Sequence, residues 1–254
     1  MSRPVRTRIL GCPVDAVDMP QAVQALVDAV EARRADPGTP PALVVTLNPE
    51  MVMLAQRDPS FAELLHGAAL LVPDGVGIVK ALRRRGHPVA RRVTGIDLLH
   101  AYAPHAARLG HRIALCGAAP GVAAAAARRL TADHPGLLVV ASDSGDPGPA
   151  VAERLAAAQA EVVCAAYGHG TQERFLAENL GRIGAAVGIG VGGSLDVLAG
   201  RVRRAPGALQ AAGLEWAWRL AREPRRVRRQ AVLPVYWWRE HREARGQAGE
   251  GRDR

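Results

Sequence analysis

The feature that most constrains the fold is a regular alternation of short, continuously apolar runs with alanine-rich stretches of helical character. Residues 43–47, 69–72, 112–116, 137–141, 161–166 and 185–189 read as strands. Residues 49–57, 96–109, 149–158 and 172–180, with a segment from Gly121 through Leu130, read as helices between them. Asn48 is placed to cap the 49–57 helix, with Pro49 at its first position, where the missing N–H is no loss. Strands that are apolar without alternation are buried on both faces. The predicted fold is therefore α/β: a Rossmann-like, mostly parallel sheet flanked by helices. In such sheets ligands sit beyond the carboxyl ends of the strands. The loops starting at Thr46, Asp74, Gly117, Tyr167 and Gly190 are expected to converge on one cleft.

Beyond Gly200 the pattern changes. Residues 214–222 and 227–242 read as helices, the first ended by Glu223-Pro224 and the second open to a kink at Pro234. The polar stretch from Arg245 is expected to fray. The division is thus an α/β domain over 1–200 and a basic helical C-terminal appendage over 201–254. The appendage holds 14 arginines against six acidic residues and all four tryptophans, whereas the whole chain carries only +9. A basic, Trp-bearing segment on a near-neutral body points to a partner that is anionic, apolar, or both. Nucleic acid, a membrane surface and a phosphorylated or lipid-linked substrate are the candidates.

Apolar content of 48% excludes a disordered body. Cys12, Cys116 and Cys164 are odd in number and widely spaced, which argues for buried thiols in a reducing compartment rather than a disulfide framework or zinc site. Residues 1–20 lack the apolar stretch of a signal peptide. The longest apolar run, 185–195, is too short to cross a bilayer, which takes about 20 residues. A soluble or peripheral protein is expected.

Each loop motif has a chemical and a plain reading. Gly188-Ile-Gly-Val-Gly-Gly193 has the spacing of a dinucleotide fingerprint, but no second strand with an acidic residue follows. A glycine loop admitting a nucleotide diphosphate fits better. Pro73-Asp74-Gly75 is a turn, and its carboxylate at a strand end can equally be a general base. Asn48 caps a helix whatever else it does. Gln172 opens a helix after Gly168-His169-Gly170-Thr171, where free N–H groups and an amide are on offer; a histidine in that turn is more simply a surface residue than a catalytic one. Arg219, Arg226 and Arg229 recur at helical spacing and suit diphosphate oxygens, or a solvated basic face. No Asp-x-Asp occurs, so arginine rather than a divalent ion is expected to neutralise a diphosphate.

Read in order, these motifs form a series: Thr46-x-Asn48-Pro-Glu, Pro73-Asp74-Gly-x-Gly77, Arg92-x-x-Gly95-x-Asp97-Leu, Gly117-x-x-Pro-Gly121, Gln172-Glu173, Gly190-Val-Gly-Gly193-x-x-Asp196-x-x-Ala-Gly200, Arg204-Ala-Pro206, and Gly213-Leu-Glu-Trp216-x-x-Arg219-Leu-x-x-Glu-Pro224-x-Arg226-x-x-Arg229. The series resembles the WecG/TagA/CpsF family of glycosyltransferases (glycosyltransferase family 26) from about Ile9 to Arg229. The resemblance implies an inverting transferase that moves N-acetylmannosamine or its uronic acid from a UDP-sugar to an N-acetylglucosamine on a polyprenyl diphosphate. Cell-surface polysaccharide biosynthesis is the implied process, and the implied place is the inner face of the membrane, without a cofactor or metal. Asp74 would be the base, with Thr46, Asn48 and Gln172 beside it. Arg92, Gly117, Gly192, Asp196, Arg204, Arg219, Arg226 and Arg229 would bind the UDP-sugar. The family's Gly-x-Pro-Lys-Gln-Glu reads Gly168-His169-Gly170-Thr171-Gln172-Glu173 here, with a proline and a lysine replaced. Self-association of the α/β bodies is also implied.

Two other classes compete. One is a nicotinamide- or flavin-dependent oxidoreductase resting on the glycine run. The other is a non-enzymatic basic module binding membrane or nucleic acid. The tryptophans lie in helices of mixed charge, nearer to an interfacial helix than to base-stacking platforms, so no nucleic-acid partner is expected. Val232, Leu233, Tyr236 and Trp237 are predicted to face lipid, with Trp216 and Trp218 packing their helix onto the body.

Overall fold

A computed structural model describes residues 4–87, 91–222 and 227–250. The chain opens with an antiparallel hairpin, β1 (Arg6–Ile9) and β2 (Cys12–Asp15), closed by Leu10 and Gly11 at φ 49° and 76°. Two successive left-handed residues make the primed turn that matches strand twist. Helix α1 (Met19–Ala35) follows, opened by an Asp18/Gln21 capping box.

The body then alternates as expected. It runs β3 (Ala42–Leu47), α2 (Pro49–Ala55), α3 (Pro59–Gly67), β4 (Leu70–Pro73), α4 (Val76–Arg84), α5 (Gly95–Leu109), β5 (Arg112–Gly117) and α6 (Val122–Asp133). After these come β6 (Leu138–Asp143), α7 (Pro149–Ala157), β7 (Val162–Ala166), α8 (Thr171–Ile183), β8 (Val187–Gly190) and α9 (Ser194–Leu198). The six strands β3–β8 form one parallel sheet in the order β4-β3-β8-β7-β5-β6.

Central strands β3, β7 and β5 each feed two cores. In β3, Leu43, Val45 and Leu47 join one layer with α2, α3, α8 and the hairpin, while Val44 joins the other with α1, α5, α6 and α9. A period-2 split with both faces apolar explains why the strands read as unbroken hydrophobic runs. Cys12, Cys116 and Cys164 are all buried, and burial pushes the Cys116 thiol up to about 12.

The remaining residues form α10 (Gly207–Ala211), α11 (Glu215–Arg222), α12 (Val227–Gln230) and α13 (Leu233–Glu250). The expected kink at Pro234 is instead a break: α12 ends at Gln230, and Pro234 lies in the first turn of α13, where its missing N–H is harmless. Nor does the chain fray at Arg245, since α13 continues to Glu250. The Glu223-Pro224 helix end lies outside the described residues.

Helix α13 is seated on the body. Tyr236 is fully buried in the same layer as Leu47, Met53 and Ile78. The fully buried carboxylate of Glu240 pairs with Arg84 and, at 2.7 Å, with Arg85; Arg85 also pairs with Glu243. Glu243 in turn accepts the Leu10 N–H at 2.9 Å. No helix among the described residues is long and apolar enough to cross a membrane.

Candidate active site

The carboxyl ends of β4, β3, β8 and β7, four neighbours in the sheet, open into a cleft of about 530 Å³. Its lining brings together Thr46, Asn48, Asp74, Arg92, Gln172, Gly192 and Arg219, which lie far apart in sequence. Helices α11, α12 and α13 supply the facing wall through Trp216, Leu220, Val227, Leu233, Pro234 and Trp237.

The floor is a buried polar chain. Thr46, the second-last residue of β3, donates its hydroxyl to the Gly190 carbonyl at 2.9 Å. Asn48 caps α2 as expected, accepting the Met51 N–H at 3.1 Å. Gln172 accepts the Gly192 N–H at 3.0 Å and donates to Glu173 at 2.7 Å. Glu173 is fully buried, accepts the Gly170 N–H at 2.7 Å, and has its carboxyl pushed upward by burial.

The glycine run is explained by this chain and by packing. A Cβ on Gly190 would lie 2.5 Å from Gln172 Nε2 and would also strike Glu173, and one on Gly188 would meet Leu180 at 2.8 Å. The sheet therefore needs glycine there to admit α8 and its polar pair. Gly170 has φ +85°, a conformation closed to proline, and its N–H is in use. The loop of this chain is thus built on glycine geometry. Beside it, His169 Nδ1 lies 3.6 Å from Glu50 Oε2, and both residues line the cleft.

Asp74 follows β4 and is held by its own N–H to the Leu47 carbonyl at 2.8 Å. Burial pushes its carboxyl up to about 7, although Arg92 and Arg219 pull it down; Glu215 and Asp97 push it further up. A carboxylate so placed is poised to exchange a proton near neutral pH.

Across from it stands an arginine cluster gathered on one buried carboxylate. Glu215, at the start of α11, is 2.9 Å from Arg92, 3.6 Å from Arg219 and 3.8 Å from Arg204. Arg204 also forms a bidentate pair with Asp97, both contacts at 2.6 Å. Burial acts to raise the Asp97 carboxyl, but the hydrogen bonds from Arg204 and Thr94 hold it below the ordinary range. Three guanidinium groups against the two carboxylates of Glu215 and Asp97 leave one net positive charge, with Arg92 and Arg219 facing the cleft.

Not every candidate residue lines the cleft. Gly117 does not, because β5 lies beyond β7 in the strand order. Its φ is +89°, and a Cβ added to it would lie 2.9 Å from the Ala166 backbone, so glycine is needed there for packing. Asp196 lies within α9, where its carbonyl receives the Arg201 and Val202 N–H groups. Arg204 stands behind the wall, on Asp97 and Glu215. Arg226 lies outside the described residues, as does the side chain of Arg229.

The tail aromatics are rearranged relative to expectation. Tyr236 is inside the core and Trp237 is a cleft wall, so neither faces outward as predicted; Val232 packs on the core and Leu233 lines the cleft. An apolar helix face fits a protein body as well as it fits lipid. Trp216 is 44% exposed at the cleft rim rather than packed inward, and Trp218 donates to the Arg203 carbonyl at 3.2 Å. Trp238 and Val235 are the exposed apolar residues of α13. Sequence reasoning missed Glu215 as the organiser of the arginines, although it stands inside Gly213-Leu-Glu215-Trp216. Among the described residues no group of three or more His, Cys, Asp or Glu is arranged to hold a metal ion.

Two curated relatives are both named N-acetylglucosaminyldiphosphoundecaprenol N-acetyl-beta-D-mannosaminyltransferase. That of Bacillus spizizenii is 34% identical over 197 residues, covering 77% of each chain. That of Bacillus subtilis is 30% identical over the same length and coverage. A sequence profile of the glycosyl transferase WecG/TagA/CpsF family matches residues 7–249. With the profile spanning both the sheet and the helices that close its cleft, the chain belongs to the WecG/TagA/CpsF family of glycosyltransferases.

Proposed function

We propose that this glycosyltransferase moves N-acetylmannosamine from a UDP-linked donor to the N-acetylglucosamine of a polyprenyl-diphosphate acceptor, with inversion at the anomeric carbon. The observation that carries the reading is the juxtaposition of Asp74, its carboxyl pushed up to about 7, with Arg92 and Arg219 in one cleft. The ionised Asp74 accepts the proton of the attacking acceptor hydroxyl. The oxygen forms its bond to the anomeric carbon from the face opposite the departing UDP. Arg92 and Arg219 take up the charge that develops on the diphosphate, with Glu215 holding them in position before it arrives. Thr46, Asn48 and Gln172 shape the sugar pocket, and Arg226 and Arg229 are assigned to the same diphosphate through the family resemblance. The names of both relatives support this donor sugar and acceptor.

Residues beyond 200 act, in this reading, as the half of the site that closes the cleft. Exposed Trp238, Val235 and Leu214 together with nearby arginines would rest on the inner face of the membrane, where the acceptor is anchored. The test is a transfer assay with a panel of UDP-sugars and a short-chain lipid-diphosphate-GlcNAc acceptor. UDP-N-acetylmannosamine is expected to give UDP and a disaccharide lipid. Failure with every UDP-hexosamine, combined with thermal stabilisation by NAD or NADP but not UDP, would favour the oxidoreductase reading instead.

A further inference from the structure

The proposed reaction brings two diphosphates to one cleft, one in the UDP donor and one linking the acceptor sugar to its lipid. The arginines around Glu215 form a single cationic pole, with Arg92 and Arg219 on the cleft wall and Arg204 behind them. A second pole stands on a different wall. Lys80, the sole lysine of the 254-residue sequence, lies on α4 three and four residues beyond Gly77 and Val76, which line the cleft. That spacing puts it on the same helix face, one turn outward. Its Nζ is 5.6 Å from the ring centre of Trp237, itself a cleft residue, and Arg84 lies over the same ring at 5.9 Å.

The charges on this ledge are unequally committed. Arg84 and Arg85 are taken up by Glu240, and Arg85 also by Glu243. Lys80 is exposed, and among the described residues no carboxylate pairs with it. The ledge is also rigidly seated. A Cβ on Gly77 would lie 2.8 Å from Pro49 and 3.1 Å from Tyr236, so α4 and α13 approach closely enough to fix Trp237 beside Lys80. Further along α13, Val235 and Trp238 are exposed and apolar. An uncommitted ammonium one helical turn from the cleft lining, against an indole that itself lines the cleft and near apolar surface, matches an anion with a hydrocarbon tail.

We infer that Lys80, on the α4–Trp237 ledge, binds the diphosphate of the lipid-linked acceptor, separately from the arginine pole that holds the donor; this rests on the proposed function. Because Lys80 is the only lysine, amine-directed acylation followed by mass spectrometry of its peptide reports on this position alone. A short-chain lipid-diphosphate-GlcNAc is expected to slow the labelling of Lys80 in the full chain, and UDP is expected not to. In transfer assays, Lys80→Ala should raise the acceptor KM by roughly tenfold while leaving the donor KM within about twofold, and Lys80→Arg should recover most of the loss.

Protection by UDP, or by phosphatidylglycerol vesicles without acceptor, would overturn the assignment in favour of donor or general membrane contact. So would an acceptor KM unmoved in Lys80→Ala. If the unsubstituted protein neither binds nor glycosylates the acceptor, the proposed function fails along with this assignment. If it does both and Lys80→Ala behaves like it, only the assignment fails.

Discussion

Replacing Asp74 with asparagine should make the protein more stable and inactive at once. An ordinary aspartate titrates at 3.8, and this one is held at about 7 mainly by burial, so ionising it in the cleft costs about 4 kcal/mol. Water reaching the cleft mouth screens part of that, leaving about 2 kcal/mol as the working figure. The folded protein binds the Asp74 proton more tightly than the unfolded chain does. Stability is therefore lost as pH rises from the free-aspartate value through the folded one. Asparagine is nearly isosteric and carries no charge, so Asp74→Asn escapes this loss. Its melting temperature should exceed that of the parent by roughly 4–8 °C at about pH 8. The difference should shrink steadily on acidification and vanish below about pH 4, where both side chains are neutral.

Turnover should fall by about 10²- to 10⁴-fold, the usual worth of a general base, with UDP affinity retained. In the parent, kcat/KM should climb about tenfold per pH unit below neutrality and level off above about 7, a profile absent from the variant. Melting scans across pH and a coupled assay for released UDP check both halves. A variant that melts no higher than the parent at pH 8 would refute the account of a carboxyl raised by burial. Undiminished transfer would remove Asp74 as the base.

Three further outcomes follow from the packing. Glu240→Gln leaves Arg84 and Arg85 without their buried partner and should lower stability to urea by about 3 kcal/mol, with transfer falling as α13 loosens; an unchanged unfolding midpoint would contradict the seat described for α13. Glu215→Gln removes the charge that gathers Arg92, Arg204 and Arg219, so the ligand-free protein should melt lower and UDP should produce a smaller upward shift than in the parent; an equal or larger shift would mean that Glu215 does not organise the diphosphate pole. Gly190→Ala pushes a methyl into Gln172 and Glu173 and should destabilise by at least about 2 kcal/mol, whereas Gly181→Ala, inside α8 with nothing within 4 Å, should stabilise by up to about 1 kcal/mol in the same melts.

Much of the sheet was legible because a strand buried on both faces leaves an uninterrupted apolar run, as at 43–47 and 185–189. Asn48 and Asp74 were legible for a related reason, since a cap and a turn have local residue chemistry. The N-terminal hairpin was not, because Arg6, Thr7 and Arg8 are polar and the turn at Leu10-Gly11 puts a leucine at positive φ. Helix α4 was hidden behind the turn signal of Pro73-Asp74-Gly75, which ends a strand and opens a helix in three residues. Gly117 was expected at the cleft because strand order is a long-range property, written in no segment of the chain. Tyr236 and Trp237 were expected to face outward because the amphipathic pattern of a helix specifies a buried face without saying what buries it.

The bond from the Leu10 N–H to Glu243 spans 233 residues and sets an order of events during synthesis. A chain growing from its N-terminus can pair its strands and close the layer of α1, α5, α6 and α9 before α13 leaves the ribosome, while the other layer still lacks Tyr236. Until then the seat of Tyr236 is bare, and the cleft lacks the wall that carries Leu233, Pro234 and Trp237. Contacts of such sequence separation form late, since the loop they close is nearly the whole chain. A nascent body would therefore present its strand-end loops to solvent with no competent pocket. Catalysis would begin only when α13 returns across the sequence to the β1–β2 hairpin and its packing closes the cleft.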